Sequence, residues 1–288
     1  MELRVLKYFL VVAREENITR AAALLHLTQP TLSRQLMQLE EELGVKLFRR
    51  SKYRIVLTDD GILMRRRAQE IIDLADKTAR EFQRQEGELT GEISIGCGEL
   101  LGVSYLAERL AAFQKTHPLV RYQFYSGNSD NIKERIERGI LDFGLLLEPV
   151  DISKYEFLRI PVVEEWGALV SEHSPLAGRE SLSPEDLAGQ LMILTGRELV
   201  QQQFAQWMGP YAGQVEPAAH GNLPYNMAML ARQDMGIFVT LRLHCIYEGL
   251  RFIPLSPPMR SGTVLVWKKD QASSPAASAF LSRIKDTV

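Results

Sequence analysis

Residues 17–50 read NITRAAALLHLTQPTLSRQLMQLEEELGVKLFRR. Two short amphipathic stretches are separated by a tight corner and followed by a basic hook. In the first, Thr19 is placed to act as an N-cap, and Ala22, Ala23 and Leu25 are small or apolar enough to pack closely. Leu27 closes a short turn. Thr28 can then cap a second helix, in which Pro30 is tolerated because first-turn N–H groups have no intrahelical partner. Leu32, Leu36, Leu39 and Leu43 form an apolar stripe along it, and Gly44 follows as a left-handed terminator. The opposite face carries Gln29, Thr31, Ser33, Arg34 and Gln38.

That polar face has the chemistry to read a DNA duplex. Gln bonds adenine N6 and N7 bidentately, and Arg does the same to guanine O6 and N7. Thr and Ser hydroxyls at a helix N-terminus suit phosphate oxygens. Upstream, Leu3, Leu6, Phe9, Leu10 and Ala13 predict one face of a preceding helix. Downstream, KLFRRSKYRIVLT reads as strand, basic turn and strand, with Ser51-Lys52-Tyr53 at the tip. Between Leu43 and Thr58 the bases Lys46, Arg49, Arg50, Lys52 and Arg54 meet no acid. Residues 1–60 hold ten Lys and Arg against eight Asp and Glu, although the whole chain has a formal net charge of −2. A local basic edge on a nearly neutral protein is what phosphate contact requires. The pattern is a winged helix-turn-helix; the bland reading is a helical bundle with a polar face.

The remaining composition is ordinary. With 288 residues, the chain is expected to hold more than one core. At 45% hydrophobic and 24% charged residues it resembles a globular protein. No apolar run is long enough to span a bilayer, and the N-terminus lacks the pattern of a secretion signal, so a cytoplasmic protein with no membrane partner is expected. Cys97 and Cys245 are too few for a disulfide framework. The five histidines His26, His117, His173, His220 and His244 have no metal-ligand spacing, so no metal is expected. No cofactor loop, nucleophile elbow or paired-acid motif appears, which argues against an enzyme.

ITRAAALLHLTQPTLSRQLMQLEEELGVKLFRR, followed by VLTDDG, resembles the N-terminal signature of the LysR-type transcriptional regulators. The resemblance is dense over about sixty residues and looser beyond them. It implies an N-terminal DNA reader, a long dimerisation helix and a C-terminal effector-binding domain. On it, DNA contacts fall on Thr28, Gln29, Thr31, Ser33 and Arg34, with Arg49, Arg50 and Lys52 on the wing. It further implies a homodimer, pairing into a tetramer, with promoter DNA, a small-molecule effector and RNA polymerase as partners.

The intervening segment supports a linker on its own pattern. From Thr58 to Glu88 there is no proline, and Met64, Ala68, Ile71, Ala75, Thr78 and Phe82 make a heptad seam. Ile62, Leu63, Ile72 and Leu74 widen its apolar surface. The expected domains are 1–58 for DNA binding, 59–88 for the linker helix and 89–288 for the effector domain. From Gly91 strands and helices alternate, predicting a mostly parallel sheet. A second unit begins near Pro161, and the terminal strand and helix are placed to return to the first. The resemblance implies two Rossmann-like lobes similar to periplasmic solute-binding proteins, lobe I at about 91–161 and 266–288 and lobe II at about 162–265.

In such α/β sheets small molecules bind beyond strand C-termini, beside helix N-termini. The positions are Gly98, Glu99 and Leu100, then Ser126, Asn128 and Ser129, then Glu148 after Leu147. In lobe II they are Thr195 and Arg197 around Gly196, with Asn222 and Thr240. Where many family members place Ser or Thr at the first helix N-terminus, this chain reads Glu99-Leu100-Leu101. A small polar ligand is expected to touch Thr195 and Arg197 on one side and Ser126 or Asn128 on the other. Arg197 can fork onto an acid group or pair with Glu198. Cys97 reads as a buried, inert thiol. Two functions remain: an effector-gated DNA-binding regulator, and a bilobal solute-binding protein or enzyme with an N-terminal oligomerisation module.

Overall fold

Helix α1 (Leu3–Glu15) buries Val5, Leu6, Phe9, Val12 and Ala13, while Leu3 is exposed and Leu10 only half-buried. The inward stripe is therefore rotated from the expected one, with Val5 and Val12 taking part. Helix α2 (Ile18–Leu24) is capped by Asn17, whose Oδ1 accepts the Arg20 N–H at 2.9 Å, so Asn17 and not Thr19 starts it. Ala21 and Ala22 are its buried residues, and Ala23 is exposed. Helix α3 (Gln29–Leu43) has Thr28 as N-cap, Pro30 in its first turn and Gly44 at φ 70° as C-cap. Leu32, Leu36 and Leu39 are buried, each contributing about 1.5–3 kcal/mol, whereas Leu43 lies largely outside.

Strands β1 (Phe48–Arg50) and β2 (Ile55–Leu57) pair antiparallel, Phe48 against Leu57 and Arg50 against Ile55. Their root is organised by Glu40, only 8% exposed. Its Oε1 accepts the N–H groups of Leu47 at 2.9 Å and Phe48 at 3.2 Å, and its Oε2 accepts Lys46 Nζ at 2.7 Å. The Phe48 ring lies 5.2 Å from that of Phe9, tying the hairpin to α1. Glu40→Ala strands both N–H groups and is expected to cost about 2–4 kcal/mol. Glu40→Gln, which keeps one acceptor, should cost less; denaturant unfolding followed by circular dichroism checks both.

Helix α4 (Asp59–Glu81) begins beneath this hairpin, where Thr58 Oγ1 accepts the Gly61 N–H at 3.0 Å. A Cβ at Gly61 would collide with the Leu47 carbonyl oxygen, so the close approach requires glycine. Ala68 and Ile72 pack into the same core with Met64 alongside, and Lys7 of α1 pairs with Asp76 at 3.0 Å. Ile62, Leu63, Ile71 and Leu74 are exposed. The expected seam thus splits: Met64 and Ala68 face their own core, and Ile71 faces outward with Leu74. Phe82, Lys52 and the Ser51-Lys52-Tyr53 tip lie outside the described residues.

The chain forms two compact units, Met1–Gln83 and Arg84–Val288. The computed structural model describes residues 1–50, 55–81, 88–269 and 274–285. The second unit opens with β3 (Gly91–Cys97), α5 (Gly102–Thr116), β4 (Val120–Ser126), α6 (Ser129–Glu137) and β5 (Phe143–Leu147). Next come β6 (Tyr155–Ser171), α7 (Pro184–Leu187), β7 (Leu191–Thr195), α8 (Glu198–Met208), β8 (Glu216–Gly221), α9 (Pro224–Arg232) and β9 (Ile237–Leu241). It closes with β10 (Leu250–Pro254), β11 (Arg260–Lys268) and α10 (Pro275–Lys285).

Strand order is β4-β3-β5-β11-β6-β9-β7-β8, with β10 also paired to β6. The pairs within β4-β3-β5 and within β8-β7-β9 are parallel, but every pair made by β6 and β11 is antiparallel. The sheet is therefore mixed and not mostly parallel. Two crossing strands supply the difference. The first half of β6 pairs only with β11, and its second half with β9 and β10. The register shifts where Ile160 and Val163 face Gly262/Thr263, leaving Pro161 at the irregularity, where a strand tolerates a residue with no N–H. Helix α10 packs Ala276, Ala277, Phe280 and Ile284 into the first lobe's core, with Phe280 edge-on to Phe113 and Phe143.

Candidate functional site

The N-terminal face of α3 presents Thr28, Gln29, Thr31 and Arg34 to solvent, with Ser33 half-buried. Thr28 and Thr31 are tied together, Oγ1 to Oγ1 at 2.8 Å, and Gln29 Nε2 donates to Ser33 Oγ at 3.3 Å. Arg34 has no protein partner among the described residues. Arg49 is exposed on β1; Arg50 ends that strand. A capped helix end with an unpartnered guanidinium and an amide held only by a long, weak bond can enter a major groove.

A cleft of about 190 Å³ lies in the second unit. Nine of the eleven positions expected to touch a ligand line it. Gly98, Glu99 and Leu100 follow β3, and Asn128 and Ser129 start α6. Thr195 ends β7 and Arg197 is the N-cap of α8, Asn222 precedes α9, and Thr240 is on β9. Ser126 and Glu148 are not among the lining residues. Ser126 is the exposed last residue of the sheet's edge strand, so between it and Asn128 only Asn128 reaches the cleft. The Glu148 carboxylate lies over Gly262 and accepts Arg159 Nη2 at 3.3 Å.

Several polar groups along the cleft are committed. Asn128 Oδ1 caps α6 by accepting the Asn131 N–H at 2.9 Å. Thr195 Oγ1 accepts the Arg197 N–H at 3.3 Å, and Gln201 Nε2 donates to the Thr195 carbonyl at 2.7 Å. Glu198 does not pair with Arg197; its Oε1 accepts Gln202 Nε2 at 3.2 Å. Instead Arg197 Nη2 crosses the cleft and donates to the carbonyl oxygens of Leu147 at 3.3 Å and Pro149 at 3.0 Å. Burial lowers the Arg197 pKa from its usual value, and the charge of Asp130 works the other way. The apolar floor comes from Leu145, Leu147, Trp166, Val200, Met227 and Phe238.

Sequence reasoning missed Glu164. Its side chain is fully buried on β6, at the crossing between the lobes. Oε1 accepts the Gly102 N–H at 2.9 Å and the Thr263 hydroxyl at 3.0 Å, and Oε2 accepts the Leu101 N–H at 3.0 Å. The partial positive charge of the α5 N-terminus is thus met from inside the protein. The only sequence signal is an acid pair set within VVEEWGALV. Trp166, two residues on, was also missed; its Nε1 donates to Ser261 Oγ at 2.9 Å while its ring lines the cleft. Cys97 is buried and burial pushes its thiol pKa up, away from the reactive thiolate; Cys245 is exposed.

Residues 3–62 match the family model described as bacterial regulatory helix-turn-helix protein, lysR family, and residues 86–288 match the LysR substrate binding domain. The HTH-type transcriptional regulator YbhD of Escherichia coli (strain K12) is 27% identical over 98% of this chain and 90% of its own length. YybE of Bacillus subtilis (strain 168), another HTH-type transcriptional regulator, is 32% identical over 67% of this chain and 66% of its own. Among solved structures, that of CbnR, a LysR family transcriptional regulator, superposes with a TM-score of 0.81. It is 21% identical, covering 100% of this chain and 99% of that one, a likeness of fold.

Proposed function

The chain belongs to the LysR family of DNA-binding transcriptional regulators, and from that premise we propose that α3 reads operator DNA while a small molecule in the interlobe cleft sets the outcome. The observation that carries the reading is the exposed end of α3, capped by Thr28 and presenting Gln29 and Arg34, on a helix whose other end holds the basic hairpin through Glu40. Thr28, Thr31 and Ser33 supply phosphate contacts, and Arg49, Arg50 and Lys52 add charge attraction to the DNA backbone. Protomers pair through the exposed Ile71 and Leu74 side of α4, and dimers pair into tetramers. By role the chain divides into 1–58, 59–88 and 89–288, although α4 folds with the first unit.

The cleft acts in binding and not in catalysis, since Asn128 and Thr195 are spent on capping and holding the chain. Gly98, Glu99, Leu100, Ser129, Asn222 and Thr240 form its remaining ligand-facing rim. No described helix is long and apolar enough to cross a membrane; work on promoter DNA places the protein in the cytoplasm.

Competition binding on an operator duplex and a scrambled duplex tests the reading. Arg34→Ala and Gln29→Ala should each lose about 1–3 kcal/mol of specific binding and spare most non-specific binding. Arg49→Ala should weaken both and lower the salt slope. Equal losses on both duplexes for Arg34→Ala would refute base reading.

A further inference from the structure

We propose that Arg197 exchanges acceptors: it bridges the lobes through the Leu147 and Pro149 carbonyls, and it yields that bridge to the acid group of an effector with an apolar body. The inference rests on the cleft being the effector site and adds the receptor and the ligand class. Both of its present acceptors are neutral carbonyls, and both bonds use Nη2. Nε and Nη1 have no protein acceptor among the described residues, and neither is sealed from solvent. No described carboxylate forms an ion pair with this guanidinium; Asp130, whose charge it senses, is held by Lys133 at 3.2 Å. Hydrogen bonds between ions are roughly twice as strong as neutral ones. A carboxylate entering the cleft therefore outcompetes the carbonyls.

The opposite wall offers no equivalent. Glu164 already fills the α5 N-terminus, and Asn128 caps α6. An acid placed on that side would instead meet the exposed Glu99 carboxylate, which lines the cleft there. The acid end is thus directed to the Arg197 guanidinium in lobe II, and the body lies over Leu100, Leu147, Trp166 and Phe238. Because Leu147 and Pro149 belong to lobe I, the exchange removes an interlobe bond as the ligand arrives. That gives the ligand a different affinity for different lobe arrangements, which a switch requires.

Titration calorimetry on the full chain at neutral pH and matched ionic strength, with benzoate and hexanoate against benzamide and hexanamide, tests this. In the wild type the acids should bind at least about tenfold more tightly than their amides. Arg197→Gln should erase that difference while leaving amide affinity unchanged, which shows that the cleft is intact. Equal binding of acids and amides by the wild type, a preference that persists in Arg197→Gln, or binding by none of the four overturns the inference. Gly196→Trp, at a lining glycine whose Cβ would meet open space, fills the cleft. Acid binding that survives Gly196→Trp overturns the cleft reading itself.

Discussion

Glu164→Ala is expected to remove about 3–6 kcal/mol from the stability of the C-terminal unit. The carboxylate is fully buried and receives two N–H groups and one hydroxyl. Truncation leaves all three without a partner, each costing about 1–3 kcal/mol. It also uncovers the positive end of α5 in an apolar setting. In a unit of this size the loss corresponds to a fall in melting temperature on the order of 10 °C. Glu164→Gln keeps the shape and one acceptor oxygen, so its cost should be distinctly smaller. Differential scanning calorimetry on both variants decides the matter. An Ala variant that melts with the wild type would show that Glu164 anchors neither α5 nor the crossing strand.

Ile71→Glu should break the dimer without unfolding the protomer. Ile71 is 36% exposed on α4, at the edge of the stripe in which Ala68 and Ile72 hold the helix to its own core. In a symmetric helix pair the substitution places two like charges in an apolar contact with no counter-charge. Dimerisation should weaken on the order of a thousandfold, equivalent to about 4 kcal/mol. Sedimentation velocity would show protomer mass, and circular dichroism an unchanged helix content. Ile72→Glu makes the contrasting case: Ile72 is buried, so that variant should lose folding of the N-terminal unit. Retention of both mass and operator affinity by Ile71→Glu would place the dimer contact elsewhere.

The features legible in the sequence were those fixed by local chemistry. Thr28, Pro30 and Gly44 delimit α3 because caps and left-handed terminators act within a few residues. The strand–helix rhythm put nine of its eleven candidate positions on the cleft because strand ends and helix starts are local as well. The seam of α4 was misread in part because two apolar faces lie on one helix, and spacing alone does not tell an inward Ala68 from an outward Ile71. Strand β6 runs from Tyr155 to Ser171 through Pro161, a residue that normally ends a strand. Only the register shift opposite Gly262/Thr263 accommodates it, and that pairing is nearly a hundred residues away in the chain. Strand β8, EPAAHG, has little strand propensity and exists because β7 pairs with it at the sheet edge.

The buried Glu164 was hidden for the same reason. Its three donors come from α5 and β11, and none is near it in sequence. Arg197 shows the limit from the other direction: its position was legible, but its partners were not. The pairing with Glu198 that adjacency suggests does not form, and the carbonyls of Leu147 and Pro149 take its place.

The central claim is that paired copies of α3 read DNA sequence. Selection of bound duplexes from a random-sequence pool by the full chain tests it most directly. The account predicts enrichment of a dyad-symmetric site whose half-sites are separated by whole helical turns. Arg34→Ala should relax the base preference within each half-site, and Ile71→Glu should abolish the dyad. A pool that remains random after selection, or a consensus that Arg34→Ala leaves unchanged, would contradict it.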